Sequence, residues 1–173
     1  MKILGVDPGL RLPAAALLTG RGSSIPRLEV FDIPVVERKG RSYIDARAWH
    51  RLVRDLAPDR SYIEFSWPMP EEGVSSAGRS QRAHGVIEGA LWSEIEADPV
   101  YVTGQVWKKA LGLRGGRENK DESRDLIVHL FPEALRFFKR AMDHNRAEAA
   151  LIAVYGAVRC DLIDLKPAEP VHG

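Results

Sequence analysis

The chain has 173 residues, of which 45% are hydrophobic and 28% charged, and its formal net charge is +1. That length suits one compact domain with a real core, since a domain of about 150 residues hides roughly 70% of its unfolded surface. The near-neutral balance gives no whole-molecule field that would announce nucleic acid. The single Cys160 excludes a disulfide framework or a multi-cysteine zinc site, and no apolar run approaches the ~20 residues that span a bilayer.

Met1-Lys2-Ile3-Leu4 runs straight into a strand with no signal-like region ahead of it, so a reducing, cytoplasmic setting is expected. Lys2–Val6 reads as a buried strand entering the turn Asp7-Pro8-Gly9. Ala14–Leu18 is a second apolar run, and Leu28, Val30, Ile33, Val35 and Val36 suggest a third strand. Three strands with short connections read as an antiparallel meander.

The period then changes. Ile44, Ala48, Leu52, Val53 and Leu56 follow helical spacing up to Pro58. Ser61–Phe65 is a strand, Gly78–Glu96 a long helix and Pro99–Thr103 a short strand. Helical patterns follow at 105–111, 120–130 and 145–160, with Cys160 reading as a structural thiol at the end of the last. Strands joined through helices run parallel, so the expected fold is a mixed α/β sheet: three antiparallel strands extended by two parallel ones, with helices on both faces. Residues 1–165 are expected to form this single domain, and the Pro-containing stretch 166–173 a frayed tail.

Four acids carry the chemistry. Asp7 ends the first strand and Glu64 lies near the end of the fourth, where sites of α/β sheets form. Asp143 and Glu148 lie at the start of the last helix. If the first and fourth strands are neighbours, Asp7 and Glu64 meet, and the last helix brings its acids across them. Clustered carboxylates repel, and a divalent cation offsets that cost. Two such ions can stabilise the attacking and leaving oxygens of a phosphoryl displacement. Asp7-Pro8-Gly9 alone is also a common turn, and Asn145 with Glu148 also matches a helix capping box.

Charge placement adds two basic clusters. One runs through Lys108, Lys109, Arg114, Arg117, Lys120 and Arg124; the other holds Arg136, Lys139, Arg140 and Arg146. Such patches suit phosphates, or are simply solvated helix faces.

In order along the chain, these pieces resemble the RuvC family of Holliday-junction resolvases. Ile3-Leu4-Gly5-Val6-Asp7-Pro8-Gly9-Leu10 is similar to its first catalytic strand and Tyr62-Ile63-Glu64 to its second acidic strand. Gln81-Arg82-Ala83-His84-Gly85 resembles its central helix, and Val106-Trp107-Lys108-Lys109-Ala110-Leu111-Gly112, followed by Lys120, its junction-binding basic segment. Asp143-His144-Asn145-Arg146-Ala147-Glu148-Ala149-Ala150 resembles the final acidic helix of phage-type or divergent members.

The resemblance implies an RNase H-like nuclease domain that forms a homodimer. It also implies two ions of Mg²⁺, for which Mn²⁺ can substitute, and symmetric nicking of two strands of a four-way junction. No small-molecule cofactor or membrane is implied. Catalytic and metal-binding roles carry to Asp7, Glu64, Asp143 and Glu148, with His144 the alternative to Asp143 as fourth ligand. Trp67, three residues after Glu64, stands where the family places a base-stacking aromatic; the alternative for it is a dimer contact. Arg79, Lys108, Lys109, Arg114, Arg117 and Lys120 are expected to touch DNA, and Trp92 points to Gly78–Glu96 as the dimer helix. Arg11-Leu12-Pro13 replaces the family's small, Gly-containing turn. The alternatives are another RNase H-like nuclease acting on hybrid, flap or single-stranded nucleic acid, a non-catalytic DNA-binding module, and an actin-like ATPase, for which the chain is too short.

Overall fold

The computed structural model describes residues 1–9, 12–20, 26–65, 67, 73–114 and 121–164. Seven strands are described: β1 (Lys2–Asp7), β2 (Ala14–Thr19), β3 (Arg27–Asp32), β4 (Val35–Arg38), β5 (Arg41–Ile44), β6 (Arg60–Glu64) and β7 (Val100–Val102). Five of them form one sheet in the order β3-β2-β1-β6-β7. β1, β2 and β3 are antiparallel neighbours, while β6 runs parallel to β1 and β7 parallel to β6. This is the mixed sheet expected from the alternation of strands and helices. The part of the one-domain reading that concerns 165–173 lies outside the described residues.

Helices cover both faces. α1 (Ala46–Leu56) and α2 (Val74–Glu94) pack on one side against Leu4, Val6, Ala15, Leu17 and Ile63. α3 (Gly104–Ala110), α4 (Glu122–Leu130) and α5 (His144–Arg159) pack on the other against Ile3, Ala14, Ala16, Leu18 and Tyr62. Covering both faces explains why β1 and β2 are apolar nearly throughout instead of alternating. None of the described helices is long and apolar enough to cross a membrane.

The third strand of the sequence analysis is two elements. β3 stops at Asp32, Ile33 is buried, and Val35 begins the separate hairpin β4–β5. Pro34 lies between them and has no amide proton with which to continue the ladder. The hairpin closes on Lys39 and Gly40, both with positive φ (52° and 69°). That makes Ile44 the last strand residue. α1 starts at Ala46, capped by Asp45, whose side chain accepts from the Ala48 amide at 3.1 Å. It ends on Ala57 in the left-handed region, just before Pro58. α2 begins four residues earlier than expected, running through Gly78. Two 3₁₀ turns, Pro132–Phe137 and Ala141–Asp143, were not legible from periodicity.

Alternation along β1 puts Ile3, Gly5 and Asp7 on the face that α5 covers. The helix can lie there only because position 5 has no side chain. A Cβ on Gly5 would stand 2.2 Å from the Ala149 carbonyl oxygen and 2.3 Å from the Ala153 nitrogen. One turn further, a Cβ on Gly156 would stand 2.4 Å from the Tyr62 ring. Because the obstacle at Gly5 is helix backbone, it cannot turn aside. Gly5→Ala is therefore expected to destabilise the fold by about 1–3 kcal/mol, as overpacking does. Urea unfolding followed by circular dichroism checks this, and an unchanged midpoint would contradict the contact.

Candidate active site

The sheet register makes the site. Val6 of β1 is paired with Ile63 of β6, so Asp7 and Glu64 are the next residues on two adjacent parallel strands. Asp7 is two residues beyond Gly5, and Glu64 two beyond Tyr62, so both side chains emerge on the α5 side. α5, seated on Gly5 through Ala149, presents the preceding residue, Glu148, to the same place. α3 closes the fourth side. Its Trp107 is fully buried and its indole Nε1 donates to Glu64 Oε2 at 3.2 Å. Its Lys108 Nζ donates to Glu148 Oε1 at 2.6 Å and lies 5.0 Å from the centre of the Trp107 ring.

Electrostatics mark the cluster as strained. Burial pushes the Asp7 carboxyl well above its ordinary range, and the charges of Glu64 and then Glu148 push the same way. The Gly9 amide, donating to Asp7 Oδ1 at 3.0 Å, and the charge of Lys108 oppose this without cancelling it. Glu64 is also raised, first by burial and then by Glu148, with Lys108 and the Trp107 indole opposing. Three carboxylates thus face one ammonium.

Glycine leaves room around them: a Cβ on Gly104 would stand 2.8 Å from Glu64 Oε1, and one on Gly9 2.4 Å from Asn145 Nδ2. Asn145 Nδ2 in turn donates to the Leu12 carbonyl at 2.9 Å, tying the first turn of α5 to the residues just before β2. Among the described residues, no three Asp, Glu, His or Cys side chains are drawn into a ready-made metal cage. Lys108, Trp107 and the Gly9 amide each hold one of the three acids instead. The donor set still fits a hard divalent cation: oxygen ligands only, from three separate elements, with excess negative charge that burial makes costly.

No protein-family model matches the chain. Crossover junction endodeoxyribonuclease RuvC of Synechocystis sp. is 27% identical over 134 residues, which cover 74% of this chain and 77% of that protein. Among solved structures, RuvC of Thermus thermophilus in complex with Holliday junction substrate superposes with a TM-score of 0.64 at 15% identity, covering 92% of this chain and 96% of that one. The fowlpox virus Holliday junction resolvase superposes with a TM-score of 0.62 at 16% identity, covering 92% and 99%. The chain is thus similar to RuvC over most of its length. Its mixed five-stranded sheet with helices on both faces matches the fold of these structures.

Not every residue singled out in the sequence reaches the cluster. Asp7, Glu64 and Glu148 do. Asp143 does not: it is the residue before α5, and guanidinium groups engage it. Arg140 donates through its backbone amide to Oδ2 at 2.9 Å and through Nη2 to Oδ1 at 2.8 Å; Arg146 Nη1 reaches Oδ1 at 3.3 Å. Burial acts to raise this carboxyl, but the hydrogen bonds and charges of the two arginines outweigh it and hold it below the ordinary range. Arg146 also pairs with Asp32 at the end of β3. The second basic cluster is thus partly a clamp on the entry to α5. Glu148 pairs with Lys108 instead of capping that helix. His144 is half-buried, one turn before Glu148.

Of the expected DNA-contacting residues, Lys108 is drawn into the acid cluster. Arg114 is exposed but pairs with Glu122. Arg117 and Lys120 lie outside the described residues, while Lys109 and Arg79 are exposed. Trp67 is 76% exposed and packs edge-on against Phe65, with ring centres 4.9 Å apart. Trp92 is half-exposed, its Nε1 donating to the Tyr101 hydroxyl at 3.2 Å.

Sequence reasoning missed Trp107, Gly104 and Asn145 as parts of the site. Their only signal was their closeness in sequence to Lys108 and Glu148, which no periodicity distinguishes. An under-compensated buried carboxylate opposes folding. Asp7→Asn is therefore expected to raise the Tm of protein held in chelator by about 2–8 °C, on the order of 1–2 kcal/mol. Calorimetry checks it, and an unchanged or lower Tm would mean that Lys108 and the Gly9 amide already balance the charge.

Proposed function

We propose that the protein is a divalent-metal-dependent endodeoxyribonuclease that resolves four-way DNA junctions by nicking two symmetry-related strands. The observation that carries this is the convergence of Asp7, Glu64 and Glu148 on one buried point at the carboxyl ends of β1 and β6. The similarity to a crossover junction endodeoxyribonuclease over three-quarters of the chain supports the substrate class. DNA in the cytoplasm is the expected setting.

Asp7, Glu64 and Glu148 would hold Mg²⁺ or Mn²⁺, two ions per site. Such ions supply the charge that stabilises the attacking and leaving oxygens of phosphodiester hydrolysis. Asp143, the favoured fourth ligand from the sequence, is already engaged by Arg140 and Arg146 and serves to fix the start of α5, which leaves His144, one turn before Glu148, as the alternative fourth ligand. The chain's own groups set the rest. The Gly9 amide orients Asp7, and the Trp107 indole holds one oxygen of Glu64 and leaves the other beside Gly104. Lys108 keeps Glu148 turned inward and places a cation where a phosphate oxygen would arrive. Trp67 presents a free aromatic face near the site for stacking on bases opened at the crossover, an interaction worth about 1–3 kcal/mol per base. Lys109 and Arg114 add phosphate contacts beside it.

Two equivalent nicks require two equivalent sites, hence a two-fold homodimer. Trp92 and Tyr101, large and exposed on α2 and β7, are the surface proposed to meet the second copy.

Synthetic four-way junction, RNA–DNA hybrid, flap and linear duplex, each with Mg²⁺ or with chelator, test the activity. The junction is expected to be nicked symmetrically and only with metal. Asp7→Asn, Glu64→Gln and Glu148→Gln are expected to lower the rate about 100-fold or more while junction binding persists. Cutting of the hybrid or flap but not the junction would assign a different RNase H-like substrate. Sedimentation equilibrium is expected to give twice the 19.3 kDa chain mass at micromolar concentration, and Trp92→Arg to shift it toward one chain. A wild-type monomer would remove the symmetric-nicking scheme.

A further inference from the structure

A second feature lies beside the acid cluster and, apart from Arg79, is used by none of the chemistry above. The hairpin β4–β5 stands away from the main sheet and faces α2 across a groove of about 1530 Å³. Six cations line it: Arg38, Lys39, Arg41, Arg47, Arg79 and Arg82, all on exposed residues. Among the described lining residues the only carboxylate is Asp45, and its Oδ1 is engaged in capping α1. Among the described residues none of the six cations has a carboxylate partner. In a chain of net charge +1, this is a strong local excess.

The arrangement works against the hairpin's own stability. Arg38 and Arg41 are directly opposite each other across the two strands, and like charges so placed repel. Lys39 occupies the turn between them with a left-handed φ of 52°, where glycine or asparagine would be more comfortable. Arg79 and Arg82 repeat the pattern on α2 at i, i+3. Arg82 lies 5.3 Å from the centre of the Tyr43 ring, which ties the hairpin to the helix and gives the groove two walls. Repulsion gathered in this way is relieved when a polyanion occupies the groove.

The neighbour of the groove points to the polyanion. Gly9 and Pro13 are also among the lining residues, and the Gly9 amide is the group that donates to Asp7. The cationic track therefore runs up to the turn that carries the first acid of the cluster.

We propose that this groove binds the phosphate backbone of a duplex DNA arm and guides it to the acid cluster. The proposal rests on the nuclease reading for its choice of DNA, and it adds a contact surface distinct from Trp67 and from the α3 basic segment. Arg38 and Arg41 grip the backbone from the hairpin, Arg47 from the first turn of α1, and Arg79 and Arg82 from α2.

The test uses fluorescence anisotropy with labelled four-way junctions in chelator, across a series of salt concentrations, comparing wild type with the triple variant Arg38→Gln/Arg41→Gln/Arg47→Gln. All three positions are exposed, and circular dichroism confirms the fold. Each phosphate contact contributes about 0.9 to the slope of log affinity against log salt. The triple variant is expected to lose about 2–3 from that slope and to bind about 10- to 100-fold more weakly near 0.1 M salt. With junction arms trimmed until they cannot reach the groove, wild type and variant are expected to bind alike. An unchanged slope, or an equal loss with trimmed arms, overturns the proposal. So does displacement of the junction from wild type by poly-glutamate at matched charge concentration, which would assign the groove to acidic protein segments. Nicking of the same junction by wild type in Mg²⁺ is scored separately. Nicking with an unchanged slope in the variant removes the groove and keeps the nuclease. A lost slope without nicking keeps the groove and removes the nuclease.

Discussion

The seating of α5 on β1 is the contact on which the site depends. A helix normally stands about 10 Å from a sheet because side chains fill the gap. Here Gly5 on the strand and Gly156 on the helix remove that filling, so backbone meets backbone at Ala149 and Ala153. The consequence is positional. Glu148 precedes the contact residue by one, and Asp7 follows the contact glycine by two. Moving the helix outward by a side chain would separate these two acids by the same amount. Arg140 and Arg146 on Asp143, Arg146 on Asp32, and Asn145 on the Leu12 carbonyl fix the same end of α5 from outside.

Given that placement, electrostatics decide what the cluster is for. One buried carboxylate and two half-buried ones beside it cost the fold stability, and burial with mutual repulsion raises both Asp7 and Glu64. A single ammonium, Lys108, offsets part of this. A purely structural cluster would be expected to reach balance, as Asp143 does between its two arginines. The contrast within one helix end separates the two kinds of acid. One is matched by guanidinium groups and anchors the chain; the others are left short of positive charge and face a shared point.

The same imbalance, with opposite sign, appears across the turn at Gly9. The hairpin and α2 gather cations that repel one another, next to acids that repel one another. Among the described residues no ion pair joins the groove cations to the cluster acids. A molecule carrying both phosphates and a bound cation would satisfy both at once, as the proposed metal-dependent nuclease reading requires.

Much of this was readable from the chain alone. The apolar runs and turn residues determined a three-stranded meander continued by helix-linked parallel strands, because strand and helix periods are local properties of the sequence. Asp7 and Glu64 were legible as strand-end acids for the same reason, and the ordered motifs pointed to RuvC. What periodicity could not resolve was anything set by contact across the fold. Asp143 and Glu148 are both acids at the start of one helix, and only the positions of Arg140, Arg146 and Lys108 in space divide them into a clamp and a site. Lys108 reads in sequence as one more member of a basic patch, yet its neighbour Trp107 buries completely and carries it inward. The break at Pro34 made one apparent strand into a strand and a hairpin, and so created the cationic groove. A sequence fixes which residues can bear charge. Which charges meet depends on how closely the backbones approach, and here that was decided by two glycines packed against a helix and a ring.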